Sequence, residues 1–193
     1  AVCLHANEII SPRPGDTVLI IGGGPMGLIH LQLSKLSGAT VILSEMTENR
    51  LRMAEELGAD VVVNPAKSDL SKTVRELTDG YGADGVIVAA GSKKAVESAL
   101  TAVSGAGTVV LFGGSYPPTK VEIDPNLIHY QEIRITGSYD QIPIHIKRAL
   151  NLMKEGKIDV ERLIAHRLPL TKLKEAFEIV KSMETLKVFI KFD

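Results

Sequence analysis

The sequence predicts an α/β fold, a parallel sheet covered by helices on both faces. Three observations predict it. Short apolar runs alternate with amphipathic stretches of helical period from residue 17 to residue 137. The short runs are apolar on both faces, as strands of a fully covered sheet must be. The first run, Thr17–Ile21, passes through Gly22-x-Gly24-x-x-Gly27 straight into an amphipathic helix. A helix and strand tail follows the sheet.

Composition narrows the possibilities. The 193 residues suffice for one domain, or one plus part of another. Twenty-two basic and 23 acidic residues leave a net charge of −1, so there is no electrostatic case for nucleic acid or a membrane surface. The single cysteine excludes an internal disulfide framework and a multi-cysteine zinc site, and Cys3 reads as a small buried hydrophobe. No apolar run approaches the ~20 residues of a membrane span, and no basic, apolar-cored leader is visible. The expected location is cytoplasmic.

Residues 1–10 read as a partly apolar helix. Pro12 and Pro14 end it, and Pro14-Gly15-Asp16 turns the chain into the first strand. The helix over 25–37 carries Ile29, Leu33 and Leu36 at helical spacing, and Gly38 stops it. A second strand covers 40–43. Thr47 then caps a helix that carries Leu51, Ala54 and Leu57 and stops at Gly58. A third strand, 60–63, closes at Asn64-Pro65. The next helix has Leu70, Val74 and Leu77 on one stripe. The fourth strand, 85–89, leads through Gly91 to a helix with Val96, Leu100 and Val103 in register. Gly105 and Gly107 precede the fifth strand, 108–112. A proline-containing loop then reaches the sixth, 132–137. Beyond it a helix carries Ile146, Ala149, Leu150 and Met153, and residues 158–168 are strand or loop. A last helix carries Leu173, Ala176, Phe177, Val180 and Met183. The final strand alternates Val188, Ile190 and Phe192 against Lys187 and Lys191. Six strands in this order fit a doubly wound, Rossmann-type dinucleotide fold.

The glycine corner has its own chemistry. Gly22 lets the chain turn off the strand, Gly24 lets a pyrophosphate approach the backbone, and Gly27 lets the helix sit close. Pro25 suits the first helical position. The amides of Met26 and Gly27 point out of the helix start, where the dipole favours an anion. Glu45, 18 residues past Gly27, is placed to accept hydrogen bonds from an adenosine ribose. A 2′-phosphate beside that carboxylate would be repelled by about 4 kcal/mol at ~4 Å and an effective dielectric of ~20, so NAD is expected over NADP. Tyr116 and Lys120 match a Tyr-x-x-x-Lys spacing, but two prolines between them exclude the helical turn that pairing needs. His129 and His166 read as structural or surface histidines. A methyltransferase, which also uses a glycine-rich first turn and an acid after the second strand, and a non-catalytic dinucleotide-binding module or sensor are the alternative readings.

Together, Pro14-Gly15-Asp16-x-Val18-x-x-x-Gly22-x-Gly24-Pro25-Met26-Gly27, Glu45-Met-Thr-Glu-Asn-Arg50, Ala89-Ala90-Gly91, Phe112-Gly113-Gly114 and Ile135-Thr136-Gly137-Ser138-Tyr139 resemble the zinc-dependent medium-chain dehydrogenase/reductase family. The tail from Gly156 through His166 and Pro169 to Phe177 is similar to its sorbitol and threonine dehydrogenase branch. The resemblance implies an interdomain helix over 1–10, an NAD(P)-binding domain over 11–139, and over 140–193 a tail that returns to an N-terminal zinc domain lying outside this chain. It implies the NAD(H)-binding portion of a zinc-dependent alcohol or polyol dehydrogenase, moving a hydride between NAD and a secondary alcohol or polyol and its ketone. It implies that Arg50 lies beside the adenosine ribose, Ala89 and Ala90 near the adenosine, and Phe112 and Gly113 on the nicotinamide side. It further implies that Ser138 and Tyr139 meet the carboxamide and that Lys187 lies near the pyrophosphate. Read by themselves, Arg50 and Lys187 are also ordinary solvated charges, and the small residues at strand ends ordinary packing. No position matches a family zinc ligand, Cys3 and His5 included, so no catalytic or metal residue is assigned and the chain alone is not expected to turn over. The sixth strand should be a sheet edge, and the resemblance implies a homodimer or tetramer through it.

Overall fold

The computed structural model of the protein describes residues 1–182 and 185–192. Six strands form one sheet: β1 (Thr17–Ile21), β2 (Thr40–Ser44), β3 (Val61–Val63), β4 (Ala83–Val88), β5 (Val103–Leu111) and β6 (Arg134–Gly137). Their order is β3-β2-β1-β4-β5-β6 and every pairing is parallel. The order reverses direction between β1 and β4, and the C-terminal ends of those two strands bound the crevice where doubly wound sheets bind ligands.

Alternation along the strands divides the core into two layers. Leu19, Ile21, Ile42, Val86, Val88 and Val109 meet α4 (Leu70–Leu77) and α5 (Lys93–Ala102) on one face. Val18, Ile20, Val41, Leu43 and Ile87 meet α2 (Pro25–Leu36) and α3 (Glu48–Glu56) on the other. The N-terminal helix α1 (Val2–Ile10) lies over α2 and buries Cys3, Ala6 and Asn7. There Asn7 Nδ2 donates to Ser34 Oγ at 2.9 Å, inside the contact.

Several elements differ from the sequence reading. On α2, Leu28 and Leu31 face the sheet, Leu33 and Ile29 pack with Cys3 of α1, and Leu36 is exposed. The helix is sandwiched between two layers, so a single stripe could not describe it. Leu77 is exposed at the end of α4. Helix α5 ends at Ala102, and Val103 opens β5, where it pairs with Ala83 before the register shifts at Gly85 and Thr108. A helix, α6 (Pro125–Gln131), occupies the second half of the expected loop. Asp124 caps it by accepting from the Asn126 N–H, and Pro125 takes its first turn. It buries no residue, so it leaves no periodic signal. Residues 116–120 are not helical, in line with setting that Tyr-Lys spacing aside.

The tail contains α7 (Pro143–Lys154), a 3-10 turn (Glu161–Leu163), β7 (Ile164–Pro169), α8 (Leu173–Lys181) and β8 (Lys187–Lys191), with β7 and β8 paired in a small parallel sheet. Its middle belongs to the core. Ile158 and Leu163 are buried, Gln32 exchanges hydrogen bonds with the Asp159 backbone at 3.2 and 2.6 Å, and Arg162 pairs with Glu56 of α3. By contrast, Ile146, Leu150 and Met153 of α7 and Phe177 and Val180 of α8 are exposed. Met183 lies outside the described residues. Among the described residues no helix is long and apolar enough to cross a membrane.

Candidate functional site

The corner after β1 is built as its glycines require. Gly22 sits at φ +111°, a conformation that L side chains rarely adopt, and its N–H donates to Ser44 O at 2.8 Å. A Cβ on Gly27 would overlap the Gly22 carbonyl oxygen, so only glycine lets α2 start this close to the turn. Gly24, the N-cap of α2, has open space where a Cβ would stand. Pro25 follows in the first helical turn. The first N–H groups of α2 have no intrahelical acceptor, and with the helix dipole they favour an anion there. The Met26 side chain turns towards α1, with its Sδ 3.9 Å from Cys3 Sγ, while its N–H belongs to the first turn of α2.

Glu45 closes the other side of the corner. Its Oε2 accepts the Gly23 N–H at 2.8 Å, and its Oε1 accepts those of Met46 and Thr47 at 2.7 and 3.0 Å. Arg50, on α3, lies 3.6 Å from Oε2 and donates to Thr185 O at 3.4 Å. Burial pushes the Glu45 carboxyl pKa up, but the Thr47, Gly23 and Met46 N–H groups and the Arg50 charge outweigh it and hold the group below the usual carboxylate range. An ionised carboxylate therefore lines a cleft of about 190 Å³. Gly22, Ser44, Glu45 and Ala90 line it at the strand ends, with Leu70 of α4 and Ala95 of α5 opposite. The lining is mostly apolar and suits a flat aromatic ring; the Ser44 hydroxyl is buried and has no hydrogen-bond partner among the described residues.

A second group gathers at the ends of β4, β5 and β6. Ala89 N–H donates to Ile21 O at 2.9 Å, and Phe112 and Gly113 N–H groups both donate to Val88 O, at 3.1 and 2.8 Å. Ser138, buried, donates its N–H to Leu111 O at 3.1 Å. Tyr139, next to it, is 94% exposed. Lys187 stands apart: it opens β8 opposite Ile164, exposed, in the small tail sheet. The structure thus joins Gly22, Gly24, Pro25, Gly27, Glu45, Arg50 and Ala90 around one corner, and Ala89, Phe112, Gly113 and Ser138 through backbone bonds beside it. Sequence reasoning missed Gly23, whose one signal was a third consecutive glycine, and Ser44, which precedes the acid.

Two polar side chains near the corner have no apparent role in it. His30 of α2 is completely buried, edge-on to Phe112 with ring centroids 4.5 Å apart, and neither ring nitrogen has a partner among the described residues. The Cys3 thiol is pushed up to about 12 by burial, which makes it inert as a ligand or nucleophile. Among the described residues no three His, Cys, Asp or Glu side chains are placed to share a metal ion.

The geometry can be set beside known proteins. A family model described as "Zinc-binding dehydrogenase" matches residues 25–155. The chain is 39% identical over 193 residues to a D-arabitol-phosphate dehydrogenase of Enterococcus avium, covering 98% of this chain and 54% of that protein. It is 37% identical over 187 residues to an L-threonine 3-dehydrogenase of Pyrococcus furiosus, covering 93% of this chain and 52% of that one. A solved structure of a protein named as a zinc-binding dehydrogenase from Sinorhizobium meliloti, bound to NADP, superposes with a TM-score of 0.86 at 35% identity, covering 91% of this chain and 52% of the other. The chain spans about half the length of the relatives it matches.

Proposed function

Since the chain belongs to the zinc-binding dehydrogenase family, we propose that it is the NAD(H)-binding part of a dehydrogenase acting on a secondary alcohol or polyol. The observation that carries the reading is the glycine corner with Glu45 seated on it, both lining an apolar cleft. In this reading the α2 start and the side-chain-free Gly24 receive the pyrophosphate. The cleft beside Ala90 takes the adenine, and Glu45 with Arg50 faces the ribose. The backbone at Phe112, Gly113, Ser138 and Tyr139 lines the nicotinamide side, and Lys187 serves the pyrophosphate from the tail. The bound dinucleotide supplies the hydride chemistry. This chain's residues bind and orient it, with residues 11–139 as the binding unit and 1–10 and 140–193 as its connection to a zinc-carrying domain. The β6 edge is read as the seam where a second copy adds its own strand.

Glu45 directs the choice of dinucleotide. Its ionised carboxylate repels a 2′-phosphate, and Arg50, already beside Oε2, is only partly available to offset that. Saturable NADH binding is expected in a fluorescence titration, clearly tighter than NADPH, with no binding of S-adenosylmethionine; the absence of tryptophan keeps the background low. Glu45→Ala should bring the two dinucleotides together by roughly thirtyfold, half of the ~4 kcal/mol repulsion. Unchanged discrimination in that variant would remove Glu45 from the assignment. Failure of NADH to bind would remove the reading itself.

A further inference from the structure

Residues 138–142 join β6 to α7. One end is tied to the sheet by the Ser138 N–H on Leu111 O. The other end is tied by two histidines that take no part in the glycine corner. His5 of α1 and His145 of α7 are stacked, with ring centroids 4.8 Å apart and planes 15° apart. His5 Nδ1 lies 2.6 Å from Asp140 O. A carbonyl only accepts, so that nitrogen carries the proton. His145 Nδ1 instead accepts the Ile142 N–H at 3.3 Å. The proton of this ring is therefore on Nε2, which donates to Glu8 Oε2 at 3.1 Å. Arg148 Nη1 donates to Glu8 Oε1 at 2.7 Å and holds the acid in place. The two rings thus treat one segment in opposite ways. One Nδ1 donates to its backbone, and the other accepts from it.

We propose that His5 and His145 are positioning residues for the nicotinamide half of the dinucleotide: their paired Nδ1 atoms hold residues 140–142, and through them the Ser138–Tyr139 backbone, in the form that receives the ring. The proposal rests on the dinucleotide reading above. The segment has little else to fix it. Tyr139 is exposed, and the Asp140 carboxylate accepts only the neighbouring N–H of Gln141. The ties that reach across the chain are those of the histidines, and His5 comes 135 residues before the carbonyl it holds. Because α1 lies outside residues 11–139, the nicotinamide wall is held in part from the connecting helix. Undocking α1 would loosen that wall and leave the glycine corner intact.

The test compares NADH with ADP-ribose, which lacks the nicotinamide. Dissociation constants are measured by fluorescence titration for NADH and by its displacement for ADP-ribose. The proteins are the wild type, His5→Ala, His5→Asn, His145→Ala, His145→Asn and His145→Gln. An asparagine amide can stand where a histidine has Nδ1, whereas glutamine reaches the Nε2 place. NADH should bind about fivefold more weakly in each alanine variant, the worth of one hydrogen bond, while ADP-ribose stays within about twofold. Asparagine should restore NADH binding at both positions, and glutamine at 145 should not. Ring ¹⁵N NMR in mildly alkaline buffer should find the proton on Nδ1 of His5 and on Nε2 of His145. ADP-ribose binding that falls in step with NADH overturns the proposal, because the histidines then serve the fold alone. Unmoved NADH binding, equal restoration by glutamine or the opposite tautomer in either ring also overturns it. A wild type that holds ADP-ribose as tightly as NADH overturns the proposal and leaves the dinucleotide reading standing. If the wild type binds neither, the reading fails and carries the proposal with it.

Discussion

At the scale of single residues, His30 shows a cost that the fold carries. Burial pushes its pKa down from 6.5 to about 3, with a smaller effect from the positive N-terminus. Neither ring nitrogen is satisfied among the described residues, which destabilises by about 1–3 kcal/mol. Between those pH values the unfolded chain binds a proton that the folded chain refuses. The stability tied to His30 is therefore complete above about pH 6.5 and is lost as pH falls towards 3, by about 5 kcal/mol at most. Denaturant unfolding from pH 7 to pH 3 should show wild type losing several kcal/mol more than His30→Leu; parallel curves would place the proton elsewhere. The loss from Glu45, whose pKa is also lowered, sets in only below about pH 4.5. Sequence alone could not single out His30, because an exposed polar position on an amphipathic helix and a buried one in a two-sided helix look alike. The place of Glu45 at the end of β2 was legible from its spacing, whereas its seat on Gly23 depends on a side-chain direction that no spacing encodes.

At the scale of elements, α1 is held to α2 by an apolar cluster around Cys3, Leu33 and Ile29 and by one buried hydrogen bond. The Asn7–Ser34 hydrogen bond lies inside the interface, and Cys3 sits beneath the helix start. Asn7→Ala should destabilise the docked helix by about 1–3 kcal/mol by stranding the Ser34 hydroxyl. The sole cysteine reports on it directly. Labelling of Cys3 by a thiol reagent should be slow in the native protein and tenfold faster or more in Asn7→Ala. Equal rates would show that α1 does not open as a unit. Two elements were hidden from the sequence, each for its own reason. Helix α6 begins on an Asp-Pro signal that was present in the sequence, yet it buries no residue and meets the core only through the partly buried Leu127, so no hydrophobic period announced it. Val103 continues the apolar pattern of α5, yet β4 claims it as a partner. Where tertiary pairing competes with local period, pairing wins.

Across the whole molecule, the parallel sheet and its strand order were legible because they follow from strand–helix alternation and handedness. The tail was not, because its apolar residues divide between core and solvent in a way that period alone cannot assign. Leu163 enters the same layer as Val18 and Leu43, whereas Phe177 is 59% exposed. Leu163→Ala should therefore cost about 2–5 kcal/mol, and Phe177→Lys should change stability by no more than about 0.5 kcal/mol. Thermal unfolding of the two variants would decide where the core ends; similar losses would mean that α8 is as integral as the 3-10 turn before β7.

The strand order also has a consequence in time. β1 is flanked by β2 on one side and β4 on the other, and its partners on the second side, Gly85 to Val88, are made long after it. A nascent chain complete through residue 80 holds β1, β2 and β3, with one flank of β1 still unpaired. Such an unpaired edge is a template for other chains. Between residue 44 and residue 88 that flank of β1 stays exposed during synthesis, and a chain stopped there should aggregate more readily than one that extends through its partners.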